Sequence, residues 1–230
     1  MDVVVCQLYD VYEDKLIKNI RPVKGTYYSY EFNHLLESNF LFDRDEMRSG
    51  ITLYLCGKLF KRSVLNDQSM KIGLGVAYGE DMLIFLDLFK HHITSITIID
   101  DILYYYYHHP NQVTAQSIST RWPDYVAVWE KLFYLYDKDG SFSIQLPARI
   151  AYYSYKSAKK VFEEGNSRAI CIDFLKRMRT ENIVQSVLFR NESLFKLFCN
   201  HRINLFLFLM KYRLYRAVYL GYRLKNRNMR

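Results

Sequence analysis

The segment Val3–Val11 most constrains the fold, because its β-branched residues predict a strand that begins at the third residue of the chain. A buried strand must pair its backbone hydrogen-bonding groups with neighbouring strands. Those neighbours have to come from later in the chain or from another chain. A sheet is therefore expected around this strand, formed either within the chain or with a partner.

The first half of the sequence alternates between strand and helix patterns. A helix is predicted over residues 80–90, and its apolar stripe consists of Met82, Phe85, Leu86 and Phe89. The segment 93–107 is dominated by Ile, Thr and Tyr and predicts a strand or a pair of strands. Residues 66–78 contain two glycines and predict a loop.

From residue 123 onward the pattern becomes helical. The predicted helices span residues 126–136, 148–163, 169–179 and 194–222. The predicted fold class is therefore α/β followed by an all-helical C-terminal part, with a boundary near residues 118–122. The predicted domains are 1–120, a helical domain over 121–192 and a basic amphipathic helical tail over 193–230.

The net charge of +8 is confined to that tail. No acidic residue follows Glu192, whereas nine Lys or Arg residues do. The first 192 residues then hold 23 of the 32 basic residues against all 24 acidic ones, a net charge of −1. Residues 1–192 are therefore not expected to form a basic surface that binds nucleic acid.

Cysteine spacing and hydropathy indicate a cytoplasmic chain that is soluble or membrane-peripheral. The four cysteines are scattered without a CxxC pair, which argues against a zinc site and a disulfide framework and fits a reducing cytoplasm. The first residues show neither the basic nor the long apolar region of a secretory signal. The longest apolar run, 205–210, is far shorter than the ~20 residues of a spanning helix.

Glu80 and Asp81 open the helix predicted over 80–90 and follow the loop that contains two glycines. Acidic residues stabilise the first turn of any helix, because they complement its free N–H groups and its dipole. A carboxylate at such a place can also accept a proton from a reacting hydroxyl group. The pair alone does not decide between these two roles.

The order of several motifs supplies more information than any one of them. The series has Asp-Val-Val-Val-Cys at 2–6, Lys-Leu-Phe-Lys-Arg at 58–62, Gly-Glu-Asp-Met at 79–82, a Tyr-rich strand at 103–107 and Pro-Asn-Gln-Val-Thr at 110–114. This series resembles the acceptor-side half of bacterial family-2 glycosyltransferases of the GT-A type, which build capsular and other surface polysaccharides. The resemblance covers residues 2 to about 115 and implies a partial GT-A-like mixed sheet.

The resemblance implies transfer of a sugar from a nucleotide-sugar to a lipid-linked glycan acceptor. It places Asp81 at the position of the catalytic base and Glu80 beside it in the acceptor pocket. It also implies substrate contacts for Lys58 and Arg62, which could instead form a solvated basic face. His108 and His109 match positions that contact metal or diphosphate in some relatives, although a His pair after a strand is more often a surface turn.

The resemblance also implies a divalent cation, Mn²⁺ or Mg²⁺, held by a DxD motif in a nucleotide-binding half that would precede this sequence. Asp43-Arg44-Asp45 has the DxD spacing but follows the first strand, so it is interpreted as a solvated turn or helix start. Asp100 and Asp101 are interpreted as a strand-end pair. The donor site is therefore expected to lie outside the chain, in a second chain or in a longer form of the protein.

The tail is expected to lie on the inner face of the cell membrane. Arg213, Arg216 and Arg223 fall near one helical face, with Arg227 close to it, and apolar residues fill the remainder. Such a helix suits an anionic membrane interface. A core helix with its basic edge in water is the alternative.

Two other functions fit parts of the sequence. A non-catalytic, membrane-associated binding or scaffold module would keep the acceptor-side surface without chemistry. An RNA-binding protein that uses the basic tail fits less well, because the tail is too apolar for a nucleic-acid arm and its aromatic residues follow no binding motif.

Overall fold

The computed structural model describes residues 1–19, 24–32, 40–42, 54–76, 78–109, 112, 118–136, 145–189 and 200–227. Asp43 and Asp45 lie outside the described residues. In the described part, a mixed sheet is followed by a helical part, so the predicted fold class is confirmed. The strands are β1 (Val3–Val11), β2 (Leu16–Asn19), β3 (Gly25–Tyr28), β4 (Lys58–Phe60) and β5 (Ser95–Tyr107).

Strand β1 lies inside the sheet and takes all its partners from later in the chain. It pairs in parallel with β5 on one edge, from Val3 opposite Ile96 to Val11 opposite Tyr107. On its other edge, β4 and β2 pair with it in antiparallel fashion, one after the other along its length. Strand β3 pairs with the first half of β5 and completes the sheet. Of the two sources of neighbours expected for β1, the later part of the chain therefore supplies them.

Strand β5 is one continuous strand of 13 residues and not a pair of strands. Asp100 and Asp101 consequently lie in the middle of this strand, so their interpretation as a strand-end pair is wrong. The carboxylate of Asp100 is exposed and forms an ion pair with Lys24 at 3.1 Å. Such an exposed pair contributes little to stability.

Two helices are present among the described residues of the first half. Helix α1 (Asp67–Lys71) occupies part of the predicted loop 66–78, so that prediction is wrong for these residues. The side chain of Asn66 caps α1 by accepting a hydrogen bond from the backbone N–H of Gln68, at 2.7 Å. Helix α2 (Glu80–His91) confirms the predicted helix 80–90, and its predicted apolar stripe is buried.

The second half contains α3 (Ile118–Tyr136), α4 (Gln145–Glu163), α5 (Arg168–Thr180), α6 (Asn182–Val184), α7 (His201–Lys211) and α8 (Tyr215–Arg227). A π-helical turn, Gln185–Phe189, continues α6. Short 3₁₀ turns are formed by Ser29–Glu31 and Arg62–Val64 in the first half. The predicted helices 126–136, 148–163 and 169–179 fall within α3, α4 and α5.

The sheet and the helices share one hydrophobic cluster. It extends from Val5 in β1 through Phe85 in α2 and Trp129 in α3 to Met210 in α7, each at most 1% exposed. A polar contact also joins the two halves, because Oε1 of Gln145 accepts the backbone N–H groups of residues 41 and 42 at 2.6 and 3.1 Å. These contacts hold the sheet and the helical part against each other.

The described part of the tail forms two helices and not one. Residues 194–199 lie outside the described part, and a turn at residues 212–214 separates α7 from α8. Arg213 adopts a left-handed backbone conformation in this turn, with φ of 57°. The predicted common helical face of Arg213, Arg216 and Arg223 is therefore wrong for Arg213.

Helix α8 packs on the helical part through one face. Val218 is 9% exposed, and the rings of Tyr219 and Tyr222 lie 5.9 and 5.1 Å from the ring of Phe162. Within the described residues, none of the helices combines the length and the apolar content that crossing a bilayer requires.

Candidate functional site

A cavity of about 570 Å³ opens where β1 and β5 end. Because these strands are parallel, their carboxyl ends meet at this edge of the sheet, which is where open α/β sheets commonly bind ligands. Helices α3 and α4 form the opposite wall. The lining residues are Leu8, Asp10, Tyr12, Asn19, Tyr54, Tyr78, Tyr106, His108, His109, Gln112, Arg121, Tyr125, Tyr153, Lys156, Ser157 and Lys160.

The sheet side of the cavity is built around a carboxylate and an imidazole. Nε2 of His108 lies 2.8 Å from Oδ1 of Asp10, and it donates because an ionised carboxylate only accepts. The side-chain amide of Asn19 donates to Oδ2 of Asp10 at 2.9 Å. The ring of Tyr12 stacks on His108 with a centroid distance of 4.3 Å, and Tyr106 meets it edge-on at 4.9 Å. These contacts fix the imidazole at the cavity wall.

The α3 side of the cavity contains a buried guanidinium group between aromatic rings. Arg121 is 3% exposed, and its guanidinium carbon lies 4.0 Å from the ring centroid of Tyr78 and 5.5 Å from that of Tyr125. Burial raises the pKa of Tyr125 above its ordinary value, and the neighbouring Tyr78 adds to this shift. The Tyr125 hydroxyl group therefore stays protonated at neutral pH and can donate a hydrogen bond.

The start of α2 adjoins this cavity. Tyr78 lines the cavity, and Gly79, with φ of 86°, turns the chain into α2 so that Glu80 and Asp81 occupy its first turn. Oδ2 of Asp81 accepts a long hydrogen bond of 3.5 Å from the backbone N–H of Leu55, the residue after the cavity-lining Tyr54. Glu80 and Asp81 are both half-buried.

The predicted loop with two glycines lies against the same helix start. A Cβ placed on Gly73 would lie 2.9 Å from Cβ of Glu80, so the two backbones approach each other closely. Nζ of Lys131 in α3 donates to the carbonyl groups of residues 72 and 74, at 3.0 and 2.9 Å. The loop is thereby tied both to α2 and to α3.

Lys58 and Arg62 lie apart from the cavity. Lys58 donates to the carbonyl oxygen of Tyr54, and its ammonium group lies 4.6 Å from the ring centroid of Phe85. It lines a separate cavity of about 370 Å³ together with Cys56 and Tyr104. Arg62 is exposed at the start of a 3₁₀ turn. Tyr78, two residues before Glu80, lines the same cavity as His108 and His109, but Glu80 and Asp81 are not among the lining residues. Arg62 lies apart from them, whereas Lys58 contacts α2 at Phe85 and shares its cavity with Leu55, the residue whose N–H group Asp81 accepts.

The described residues do not fit the divalent cation that the resemblance implies. They contain no group of three or more His, Cys, Asp and Glu side chains arranged to hold a metal ion. Both carboxylate oxygens of Asp10 are already engaged by side-chain donors.

The arginines of the tail whose side chains are described lie at the protein surface. Arg216 and Arg223 are exposed, as is Arg213 in the preceding turn. The backbone of Arg227 forms the last residue of α8. Exposed apolar side chains accompany these cations: Leu205, Phe208, Tyr212, Leu214, Leu220 and Leu224.

Most of the polar residues that line the cavity could not be identified from the sequence. His108 and His109 were predicted, whereas Asp10, Arg121, Lys156, Ser157 and Lys160 were not. The position of Asp10 near the end of a predicted strand is the one signal that could have indicated a ligand site. The other four lie on long helices whose orientation the sequence pattern does not reveal.

Comparison of the sequence with protein-family models, with curated proteins and with solved structures found no match.

Proposed function

We propose that this chain is the acceptor-side part of a glycosyltransferase that transfers a sugar from a nucleotide-sugar to a lipid-linked glycan in surface polysaccharide synthesis. One observation carries this proposal: the helix start that bears Glu80 and Asp81 adjoins the wall of a cavity at the carboxyl ends of two parallel strands. A carboxylate beside a ligand cavity has the chemistry needed to accept a proton from a bound hydroxyl group.

In the proposed reaction, Asp81 accepts the proton of the acceptor hydroxyl group while that oxygen attacks the anomeric carbon of the donor sugar. The new glycosidic bond forms as the bond to the nucleoside diphosphate breaks. The configuration at the anomeric carbon is then inverted, as the family resemblance suggests. By the same resemblance, Glu80 is proposed to shape the acceptor pocket beside Asp81.

The chemistry of the cavity supports a glycan as the acceptor. Its walls carry six tyrosines: Tyr12, Tyr54, Tyr78, Tyr106, Tyr125 and Tyr153. Aromatic faces pack against the C–H groups of sugar rings, and phenol hydroxyl groups exchange hydrogen bonds with sugar hydroxyls. The volume of about 570 Å³ falls within the usual range of small-molecule sites.

The donor side of the reaction is proposed to involve a second chain or residues outside the described part, which would hold the nucleotide-sugar and its Mn²⁺ or Mg²⁺ ion. Exposed apolar side chains of β2 and β5 on the sheet face opposite the cavity support a partner surface: Leu16, Leu103, Tyr105 and Tyr107. Clustered exposed apolar side chains often mark interaction sites. Lys58 and Arg62 remain proposed substrate contacts.

The tail is proposed to hold the protein on the inner face of the cell membrane. The exposed surface of α7 and α8 combines leucine and aromatic side chains with Arg216 and Arg223, and this composition supports binding at an anionic lipid interface. A lipid-linked acceptor is held at the same surface. Flotation with vesicles of anionic or neutral lipid tests this, and the double substitution Arg216→Glu and Arg223→Glu is expected to abolish binding to the anionic vesicles.

The catalytic assignment is tested by Asp81→Asn. Transfer from a panel of UDP-sugars to an isoprenyl-diphosphate-linked sugar is measured with the purified chain, alone and after adding an extract of its source cell to supply any donor-binding partner. Asp81→Asn is expected to lower the transfer rate by about 10²-fold or more, because general-base catalysis contributes that much. Asp67→Asn, in the exposed first turn of α1, is the matched control and is expected to leave the rate unchanged.

Two results would contradict this proposal. Undiminished transfer by Asp81→Asn would exclude Asp81 as the base. Transfer detected under neither condition would favour the non-catalytic, membrane-associated binding module. A calorimetric titration with UDP, with and without Mn²⁺, then shows whether the chain itself contains a donor site.

A further inference from the structure

Three polar side chains on the α4 wall of the cavity have no role in the proposed transfer step. Lys156, Ser157 and Lys160 lie within two turns of α4 and all line the cavity. Both lysines are exposed, and in the part of the chain that the structure describes neither is paired with a carboxylate. The neighbouring Lys159, in contrast, forms an ion pair with Glu163 at 3.3 Å.

Ser157 supplies a second, independent observation. Its side chain is buried at 1% exposure, and among the described residues its Oγ has no hydrogen-bond partner. Burying a hydroxyl group without a partner is costly, so such groups in native structures call for an explanation such as a bound ligand or water. Because Ser157 lines the cavity, a ligand there would supply the missing partner.

The charges around the cavity favour an anionic ligand. Asp10 is the one carboxylate among the described lining residues, and it already accepts hydrogen bonds from His108 and Asn19. Arg121 adds a buried cation to the two lysines. Three permanent cations therefore face one engaged carboxylate, with His108 and His109 as further titratable groups.

We propose that Lys156, Ser157 and Lys160 form a subsite for the phosphate or diphosphate group that links the acceptor glycan to its lipid. Phosphate oxygens accept charge-assisted hydrogen bonds from ammonium groups and a further one from a hydroxyl group. The tyrosines of the same cavity then contact the glycan. This inference rests on the proposed function, because that function supplies the lipid-linked acceptor.

A nucleoside diphosphate offers the same phosphate chemistry, so the test must distinguish the two sources. Three probes are titrated into the purified chain by calorimetry: inorganic pyrophosphate, UDP and farnesyl diphosphate. Binding of pyrophosphate measures the subsite itself. Tighter binding of farnesyl diphosphate than of UDP is expected if the lipid-linked acceptor occupies it, and the reverse order would overturn the assignment to the acceptor.

The double substitution Lys156→Met and Lys160→Met is expected to weaken pyrophosphate binding by about tenfold or more, since two charge-assisted contacts are lost. Ser157→Ala removes one neutral hydrogen bond and is expected to have a smaller effect in the same direction. Lys159→Met is the matched control, because it changes charge and side chain in the same way on the same helix but outside the cavity. Its pyrophosphate affinity is expected to equal that of the unmodified chain.

Equal pyrophosphate affinity in the double variant and in Lys159→Met would overturn the subsite, provided that both variants unfold at the temperature of the unmodified chain. Absence of pyrophosphate binding by the unmodified chain would overturn it as well. Neither readout requires sugar transfer. Asp81→Asn should bind pyrophosphate normally, so a failure of the proposed transfer reaction and a failure of this subsite give different results.

Discussion

The start of α2 depends on a glycine at position 79, and a substitution there tests this. Its φ of 86° lies in the left-handed region, and it turns the chain into the first turn of α2, where Asp81 lies. A Cβ placed on Gly79 would lie 3.1 Å from Cγ2 of Val128 in α3, which is tighter than ordinary van der Waals contact. Gly79→Ala therefore combines backbone strain with crowding.

Gly75→Ala is the matched control because it has the strain without the crowding. Gly75 has φ of 77°, and a Cβ placed there would meet no atom within 4 Å. The left-handed conformation costs a non-glycine residue about 1–2 kcal/mol. Both substitutions restrict the unfolded chain to the same extent, so that effect cancels between them.

The crowding adds a cost at Gly79 alone. Val128 is 3% exposed, so its side chain has little room to move, and overpacking of this kind costs about 1–3 kcal/mol. Gly79→Ala is therefore expected to lower the free energy of unfolding by about 2–5 kcal/mol, against about 1–2 kcal/mol for Gly75→Ala.

The measurement is urea denaturation followed by tryptophan fluorescence, with equal slopes in denaturant required for the comparison. In a Val128→Ala background, Gly79→Ala should cost only about 1–2 kcal/mol, because the crowded methyl group is gone. Equal destabilisation by the two glycine substitutions, or no relief from Val128→Ala, would refute the reasoning.

Three further predictions concern stability. Asp2→Asn should lower the free energy of unfolding by about 1–2 kcal/mol at pH 7 and by less below about pH 4. Two hydrogen bonds from Thr94 hold the pKa of Asp2 below its ordinary value, so their contribution to stability is lost as the pH falls through that depressed pKa. If Asp2→Asn lowers the free energy of unfolding in urea equally at about pH 7 and at about pH 3, the prediction is contradicted. Gln145→Leu should cost about 2–4 kcal/mol by leaving two buried N–H groups without their acceptor, and hydrogen exchange at those amides should accelerate. Trp129→Ala should lower the free energy of unfolding by about 3–5 kcal/mol because Trp129 is buried. Tyr134 on the same helix is 70% exposed, so Tyr134→Ala should cost less than about 1 kcal/mol. Similar decreases in the unfolding temperatures of the two variants would contradict this.

The elements that the sequence predicted well have a strong local period. Strand β1 and helix α2 follow directly from β-branched content and from an apolar stripe, respectively, so their predicted bounds agree with the structure within one residue. Helix α1 was missed although Asn66 followed by Asp67 is a recognisable helix start. The turn at Arg213 carries neither Gly nor Pro, so no local signal separates α7 from α8.

The cavity could be predicted only in part because distant segments form it. The contact between Asp10 and His108 spans 98 residues, and Lys156 reaches the same cavity from α4. Local periodicity does not report which helix face meets the end of a sheet. Glu80 and Asp81 stand out in the sequence because their motif is contiguous, whereas the α4 lysines belong to no motif.

The parallel pairing of β1 with β5 also has a consequence for the order in which the protein folds. Val3 pairs with Ile96, so the first strand made at the ribosome must wait for a segment synthesised more than 90 residues later. At about 5–20 residues per second, this delay lasts several seconds. Meanwhile β1 can pair only along its other edge, with β2 and later with β4, and the edge that will meet β5 stays open to other chains. The nascent chain is therefore expected to depend on chaperones until β5 emerges, and a pause in translation before residue 95 would increase its aggregation.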